Sequence, residues 1–349
     1  MTRVATIDTR RFLALLLITA MLATMIPFAL FVFPSGVLAH DNISVSGNFT
    51  VSNGAPTVDL VALHTHPGGA ATSMNPFTTE YEVWVTASDN GTLHSLTTIV
   101  VTLYYDADGT YSISDRPVSA NNNTCAIITY THVHGGTDTW VMSNGTTWLL
   151  GADCVAPSLD GNTGIYQFVF TPGKVAQETS ADSSEWHIYA VASDGTGTGD
   201  GYQENQEMNW YGEINNVTTS VSFGTVSLGQ TQVVSTSAIS ANYISNGAFD
   251  EQVKTDSTWI GPTKTLTLDE DGTPGNGYFT IEADDDNVST GAVFVKNTAY
   301  TAVDDGNQTM TDEAGHTQAN NYLWLTLGST GIPPETYSGT LWYAIANGS

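Results

Sequence analysis

Apolar and polar residues alternate with a period of two along most of this chain, in short runs separated by Gly, Asn, Asp and Pro. Such alternation sends successive side chains to opposite faces of an extended backbone, so one face of each run can enter a core. The runs TVDLVALH (57–64), EYEVWVTAS (80–88), LTTIVVTLYY (96–105), CAIITYTHVH (125–134), GIYQFVFTP (164–172) and EWHIYAVAS (185–193) are predicted strands. A second series opens at VSFGTVSLGQTQVV (221–234) and passes through KTLTLDE, GYFTIEAD, TGAVFVKN and NYLWLTLG. It closes on PPETYSGTLWYAIANGS. EYEVWVTASDN and WHIYAVASDG both end in Ser-Asp, whose carboxylate can take the amide two residues on and stop a strand.

This pattern predicts an all-β protein. At 349 residues the chain has length for two β-sandwiches, at 55–217 and 218–349, with the seam near Asn215–Ser220 and an insertion at about 112–160 in the first. Only the N-terminus breaks the pattern. Arg3, Arg10 and Arg11 precede an apolar run at 12–33, and Val37 and Ala39 supply a small-residue cleavage site, so residues 1–39 form an export helix. That run is long enough to span a bilayer, so the leader is either cut after Ala39 or kept as an anchor. In both cases the remainder is extracellular or on the cell surface, and membrane contact is confined to residues 12–33. Residues 40–54 read as an extended arm, either the first strand of its own sandwich or a strand added to a neighbour's sheet.

Composition sharpens the compartment. The formal net charge of −27 comes from scarce bases, 8 Lys and Arg against 35 Asp and Glu. Nothing here could neutralise a row of phosphates, so nucleic acid is excluded as a partner. Cys125 and Cys154 are the only cysteines, and an even pair in an exported chain predicts a disulfide. Asn42, Asn48, Asn90, Asn122, Asn144, Asn216, Asn287, Asn307 and Asn347 each open an N-x-[ST] sequon, giving candidate glycosylation sites.

The stretches Val83–Asp89 and Ile188–Asp194 resemble strands of the Ig-like and cadherin-like modules of prokaryotic surface proteins. SFGTVSLGQT and PPETYSGTLWYAI are similar to the opening and closing of secreted sandwiches in archaeal and bacterial envelopes, S-layer-like proteins among them. The resemblance implies two tandem Ig-like domains and a surface location. It implies no reaction.

Two His-x-His pairs, HTHPGG (64–69) and HVHGG (132–136), carry the sharpest chemistry. Residues i and i+2 of a strand share a face, so His64 with His66 and His132 with His134 each form a two-nitrogen claw. Were the two claws neighbours they would surround Zn²⁺ or Cu²⁺, and cleavage after Ala39 would add His40 as a chelating N-terminus. Spacing alone fixes no third ligand, so the pairs read first as solvated strand ends before glycine turns. Calcium fits better than a transition metal, with solvated acidic turns as the default reading. DGTGTGDG (194–201) with Glu204, DADG (106–109) and DDDN (284–287) place carboxylates in turns, with Asp194, Asp200, Glu204, Asp106, Asp108, Asp284 and Asp286 as candidate ligands. Trp84, Trp186, Trp324 and Trp342 fall in alternating runs and read as core, while Trp140 and Trp148 are open to sugar stacking as well as packing. No G-x-S-x-G, H-E-x-x-H or Walker motif is present, so no enzyme is expected. The reading is a structural or adhesive surface protein that associates with itself or other envelope proteins. The alternative is a binding module for a glycan or metal ion.

Overall fold

In the computed structural model, residues 47–49, 53–143, 147–180, 183–303 and 317–348 are described. The leader, most of the arm, His40, Asn42, Asn144 and Asn307 lie outside them. Among the described residues every long element is a strand and no helix is long and apolar enough to cross a membrane.

The first sheet contains β1 (Thr57–Thr65), β2 (Gly69–Ala70), β4 (Tyr81–Ser88), β8 (Leu149–Leu150) and β9 (Thr163–Thr171), in the order β2-β1-β4-β9-β8. The second contains β3 (Ser73–Met74), β5 (Thr98–Asp106), β6 (Cys125–Thr131), β7 (Thr139–Met142), β10 (Glu185–Ser193) and β11 (Thr198–Met208), in the order β3-β11-β10-β5-β6-β7. Inward positions of both meet in one core, where Val61, Val83, Val85, Tyr166 and Phe168 pack with Ile99, Val101, Ile128, Ile188 and Ala190. This is the two-layer arrangement of a β-sandwich. Residues 112–160 supply β6 and β7 to one layer and β8 to the other.

A second pair of sheets follows. The larger runs β12 (Gly212–Val217), β14 (Ile239–Ser245), β21 (Thr317–Leu327), β18 (Tyr278–Asp284), β17 (Thr265–Leu268) and β16 (Thr258–Ile260). On it β13 (Val233–Val234) pairs with β21, and β19 (Val293–Phe294) with β18. The smaller sheet places β15 (Phe249–Thr255) between β20 (Thr301–Ala302) and β22 (Leu341–Asn347). Phe279, Ile281, Leu323 and Leu325 of the larger sheet share a separate core with Val253 of the smaller. The polar stretch at Asn215–Ser220 thus runs off the end of β12, which is already paired with β14.

Residues 53–349 nevertheless form one compact unit, and the joint between the two cores is polar. Asn246, in the turn from β14 to β15, is fully buried. Its side-chain amide donates to the Ala176 and Asn209 carbonyls at 2.7 and 3.0 Å, and its side-chain oxygen accepts the Tyr211 amide at 2.6 Å. Its main chain donates to the Tyr211 carbonyl and accepts from the Glu178 amide. Asn347 of β22 reaches back to the Glu178 carboxylate at 3.0 Å, and Lys174 pairs with Glu213 at 2.6 Å.

The strand that composition hides is β11. DGTGTGDG folds as a tight turn followed by a strand whose glycines let two layers touch. Asp194 ties the turn through the amides of Thr196 and Gly197, both at 2.7 Å, and Gly195 takes the positive φ of 83° that the turn needs. On β11 a Cβ at Gly199 would stand 2.0 Å from the Pro56 carbonyl oxygen, so only glycine lets this strand cross β1 so closely. Gly199→Ala should therefore force the strands apart and destabilise by about 1–3 kcal/mol. Gly275→Ala, where a Cβ meets nothing within 4 Å, should be close to neutral in the same urea titration.

The tryptophans divide. Trp186 and Trp324 are buried as expected, whereas Trp84 lies on the outer face of the first sheet and Trp342 is 39% exposed. Trp148 is buried, with its indole N–H on the Asn122 carbonyl at 2.9 Å, and Trp140 packs against Tyr130 and Phe168. Both fill the sandwich rather than present a sugar platform.

Candidate functional site

The two claws are not neighbours and form no four-histidine cluster, and strand direction explains why. His66 follows the end of β1, beside the start of β4, where its amide bonds the Glu80 carbonyl. His132 follows the end of β6, beside the start of β5, where its amide bonds the Thr97 carbonyl. Between them lies the eight-residue length of β4, roughly 25 Å at about 3.3 Å per residue. The pairs occupy opposite ends of the sandwich.

The HTHPGG end is closed by carboxylates and an aromatic ring. His66 stands with Nδ1 3.3 Å from Glu82 and Nε2 3.6 Å from Asp153. Glu82 is buried and also accepts the Gly68 amide at 2.6 Å, which pins the turn. His64 stacks on Trp84 with ring centroids 4.2 Å apart. Charged partners and stacking leave this claw committed to the fold.

The HVHGG end is different. Val133 to Gly136 close a turn through the Gly136 amide and Val133 carbonyl at 2.8 Å, with Gly135 at φ 73° in the position that a type II turn reserves for glycine. Facing this turn is a 3-10 turn, Leu93–Ser95, that links β4 to β5. Leu93 and Leu96 are fully buried and the Leu93 amide bonds the Gly161 carbonyl, so His94 between them is held outward at a fixed place. His94, His132 and His134 each bring one ring nitrogen within 4.8 Å of the others. Among the described residues no other group of three or more His, Cys, Asp or Glu side chains converges in this way.

His132 is the anchor. Its side chain is 10% exposed, and Nδ1 lies 2.8 Å from Asp138 Oδ1. Asp138 also accepts the Tyr130 hydroxyl at 2.6 Å and the Val133 amide at 3.1 Å. Burial works against its charge, but the bonds from Tyr130, Val133 and His132 outweigh it and hold the carboxyl below its ordinary value. An ionised Asp138 accepts a hydrogen bond from His132 Nδ1–H, and in the neutral ring that tautomer carries its lone pair on Nε2. That Nε2 is buried and has no hydrogen-bond partner. Asp160 stands 3.4 Å from His94 Nε2.

The calcium candidates are not gathered. Asp194 holds its own turn, takes the Asn53 side-chain amide at 2.7 Å, and is kept below its ordinary value by the Gly197 and Thr196 amides. Asp200 and Glu204 lie along β11. Asp106 ends β5, 3.7 Å from the buried His187, and accepts the Asp108 amide, while Asp108 accepts that of Thr110. Asp284 accepts the Asp286 amide at 2.9 Å. Each of these turn carboxylates serves its local backbone, the same device that Asp89 uses toward Gly91.

The expected disulfide is a correction. No disulfide joins Cys125 and Cys154. Cys125 begins β6 with its side chain on the outer face of the second sheet, among Tyr104 and Tyr189. Cys154 lies beside β9 of the first sheet, where its Sγ accepts the Val169 amide at 3.2 Å. Packed sheets stand about 10 Å apart, and a disulfide needs Cα atoms within about 7 Å. Burial pushes the Cys125 thiol up to about 11, so it stays protonated at neutral pH. Reducing agent is expected to leave the urea midpoint unchanged. A fall worth about 3–4 kcal/mol, the loss expected for a bridged ~30-residue loop, would show that the thiols pair.

Of the described sequons, Asn48, Asn90, Asn216, Asn287 and Asn347 are exposed, whereas Asn122 is buried at 3%. No protein-family model matches the chain, and no curated protein matches it.

Proposed function

We propose that this chain is an exported surface protein in which two tandem Ig-like sandwiches serve a structural or adhesive role, as subunit or spacer of an envelope layer or filament. The observation that carries this reading is the buried Asn246 joint, which fastens the two cores into one unit rather than leaving them on a flexible linker. A rigid body of this kind suits presentation of a surface at fixed distance. The turn carboxylates support the same reading, because they hold backbone in place instead of facing a shared cleft. Exposed sequons and a base-poor polar surface fit a glycosylated extracellular protein. The test is to locate the protein on its own cells and follow its mass on concentration. Layered or filamentous assembly, or attachment to cells or envelope proteins, supports the proposal. A chain that stays inside the cell, or a secreted monomer that adheres to nothing, overturns it.

A further inference from the structure

The three-histidine cluster does something that neither sandwich packing nor surface display requires. We propose that His94, His132 and His134 bind one divalent transition-metal ion of the zinc and copper class, with an open position for water or an outside ligand.

The argument begins with what holds His132. A neutral imidazole whose Nδ1–H is fixed on a carboxylate presents Nε2 as a ligand of set direction and raised basicity, the arrangement that supports metal-bound histidines generally. Here Asp138 supplies that carboxylate at 2.8 Å and is itself oriented by Tyr130 and the Val133 amide. The Nε2 lone pair is itself buried and has no hydrogen-bond partner, in a ring that is nine-tenths buried. Burying an unsatisfied acceptor is unfavourable by about 1–3 kcal/mol. A cation at Nε2 removes that penalty.

The other two ligands complete the set by position. His94 projects from a turn anchored by Leu93 and Leu96, and His134 occupies the corner of a glycine-closed turn. Both are exposed, so their rings can rotate to bring nitrogens now within 4.8 Å to the about 3.3 Å that bonds of about 2.0–2.1 Å require. The donor set selects the ion. Three imidazoles without a carboxylate suit Zn²⁺, Cu²⁺ or Ni²⁺ and disfavour Ca²⁺ and Mg²⁺, which take oxygen. Three protein ligands at a solvent-facing rim leave a fourth position open, the stoichiometry of a reactive or ligand-accepting site rather than a closed structural one.

The experiment uses untagged full-length protein, stripped with EDTA and titrated with Zn²⁺, Cu²⁺ and Ca²⁺ by calorimetry. One equivalent of Zn²⁺ or Cu²⁺ is expected, with Ca²⁺ silent at the site. Copper should show hyperfine coupling to three imidazole nitrogens in its electron paramagnetic resonance spectrum. His94→Ala and His134→Ala, both at exposed positions, should weaken binding at least 100-fold with the fold intact by circular dichroism. Asp138→Asn should weaken it about 10–100-fold, and His64→Ala should leave it unchanged. Binding that survives His94→Ala and His134→Ala undiminished, or that is absent below millimolar metal, overturns the proposal. These outcomes are independent of whether the chain assembles at a surface.

Discussion

Asn246→Ala is expected to lower the unfolding free energy by about 3–5 kcal/mol. The substitution leaves the main chain of the β14–β15 turn in place but removes three hydrogen bonds at once, one buried and two part-buried. The Ala176 and Asn209 carbonyls and the Tyr211 amide then lose their partner inside the joint, and each orphaned group is unfavourable by about 1–3 kcal/mol before water relieves part of it. Asn246→Asp should be worse still, because it turns an oxygen, and a charge, toward two carbonyl oxygens. Urea unfolding followed by tryptophan fluorescence and by circular dichroism checks both. The two probes should separate in Asn246→Ala as the cores come apart independently. A shift below about 1 kcal/mol with coincident probes would mean that the joint is held elsewhere.

Trp186→Ala is expected to cost about as much, roughly 3–5 kcal/mol, for a different reason. Trp186 is fully buried, its indole N–H donates to the Gln177 carbonyl at 2.8 Å, and its ring lies 5.8 Å from that of Trp148 and 6.3 Å from that of Tyr105. Truncation opens a cavity in the first core and strands the carbonyl that precedes Glu178 at the joint. Trp342→Ala should change stability by less than about 1 kcal/mol, since that residue is 39% exposed at the surface, with the Lys254 ammonium 5.7 Å from its ring centre. Equal effects at the two positions in parallel urea titrations would contradict the described core.

The alternating runs were legible because each of β1, β4, β5, β9 and β10 carries its apolar residues on the face that meets the first core. Two kinds of strand were not. TGDGYQENQEM reads as loop since glycine, chosen for close approach to β1, replaces the apolar residues that mark a strand. FDEQVKT hides its period because one inward position is Glu251, fully buried and bonded by the Tyr343 hydroxyl. The site was half visible. HVHGG showed a strand end with two imidazoles, but pairing it with HTHPGG assumed that like motifs lie together, and strand direction sends them to opposite ends. His94 sits alone in DNGTLHS with no spacing to either pair, and Asp138 is one acid among many. The path of β4 into β5, past the end of β6, brings His94 to His132, and the connection from β6 to β7 brings Asp138.

The edges of the first two sheets bear on how this chain can meet its own copies. A sheet edge offers unpaired amides and carbonyls to any passing strand, and long flat edges invite fusion into cross-β aggregates. Here the edge strands are β2, β8 and β3, of two residues each, and β7, of four. Beside β8 the next stretch of β9 is capped by the Cys154 sulfur on the Val169 amide. These outermost strands therefore offer few ladder rungs of their own, and the longer edges belong to β1, β9 and β11, which β2, β8 and β3 cover at only two residues each. By contrast β22 ends the smallest sheet with seven residues of backbone. Any addition of a strand would find its template on β22 or on the uncovered lengths of β1, β9 and β11, not on the short outermost strands.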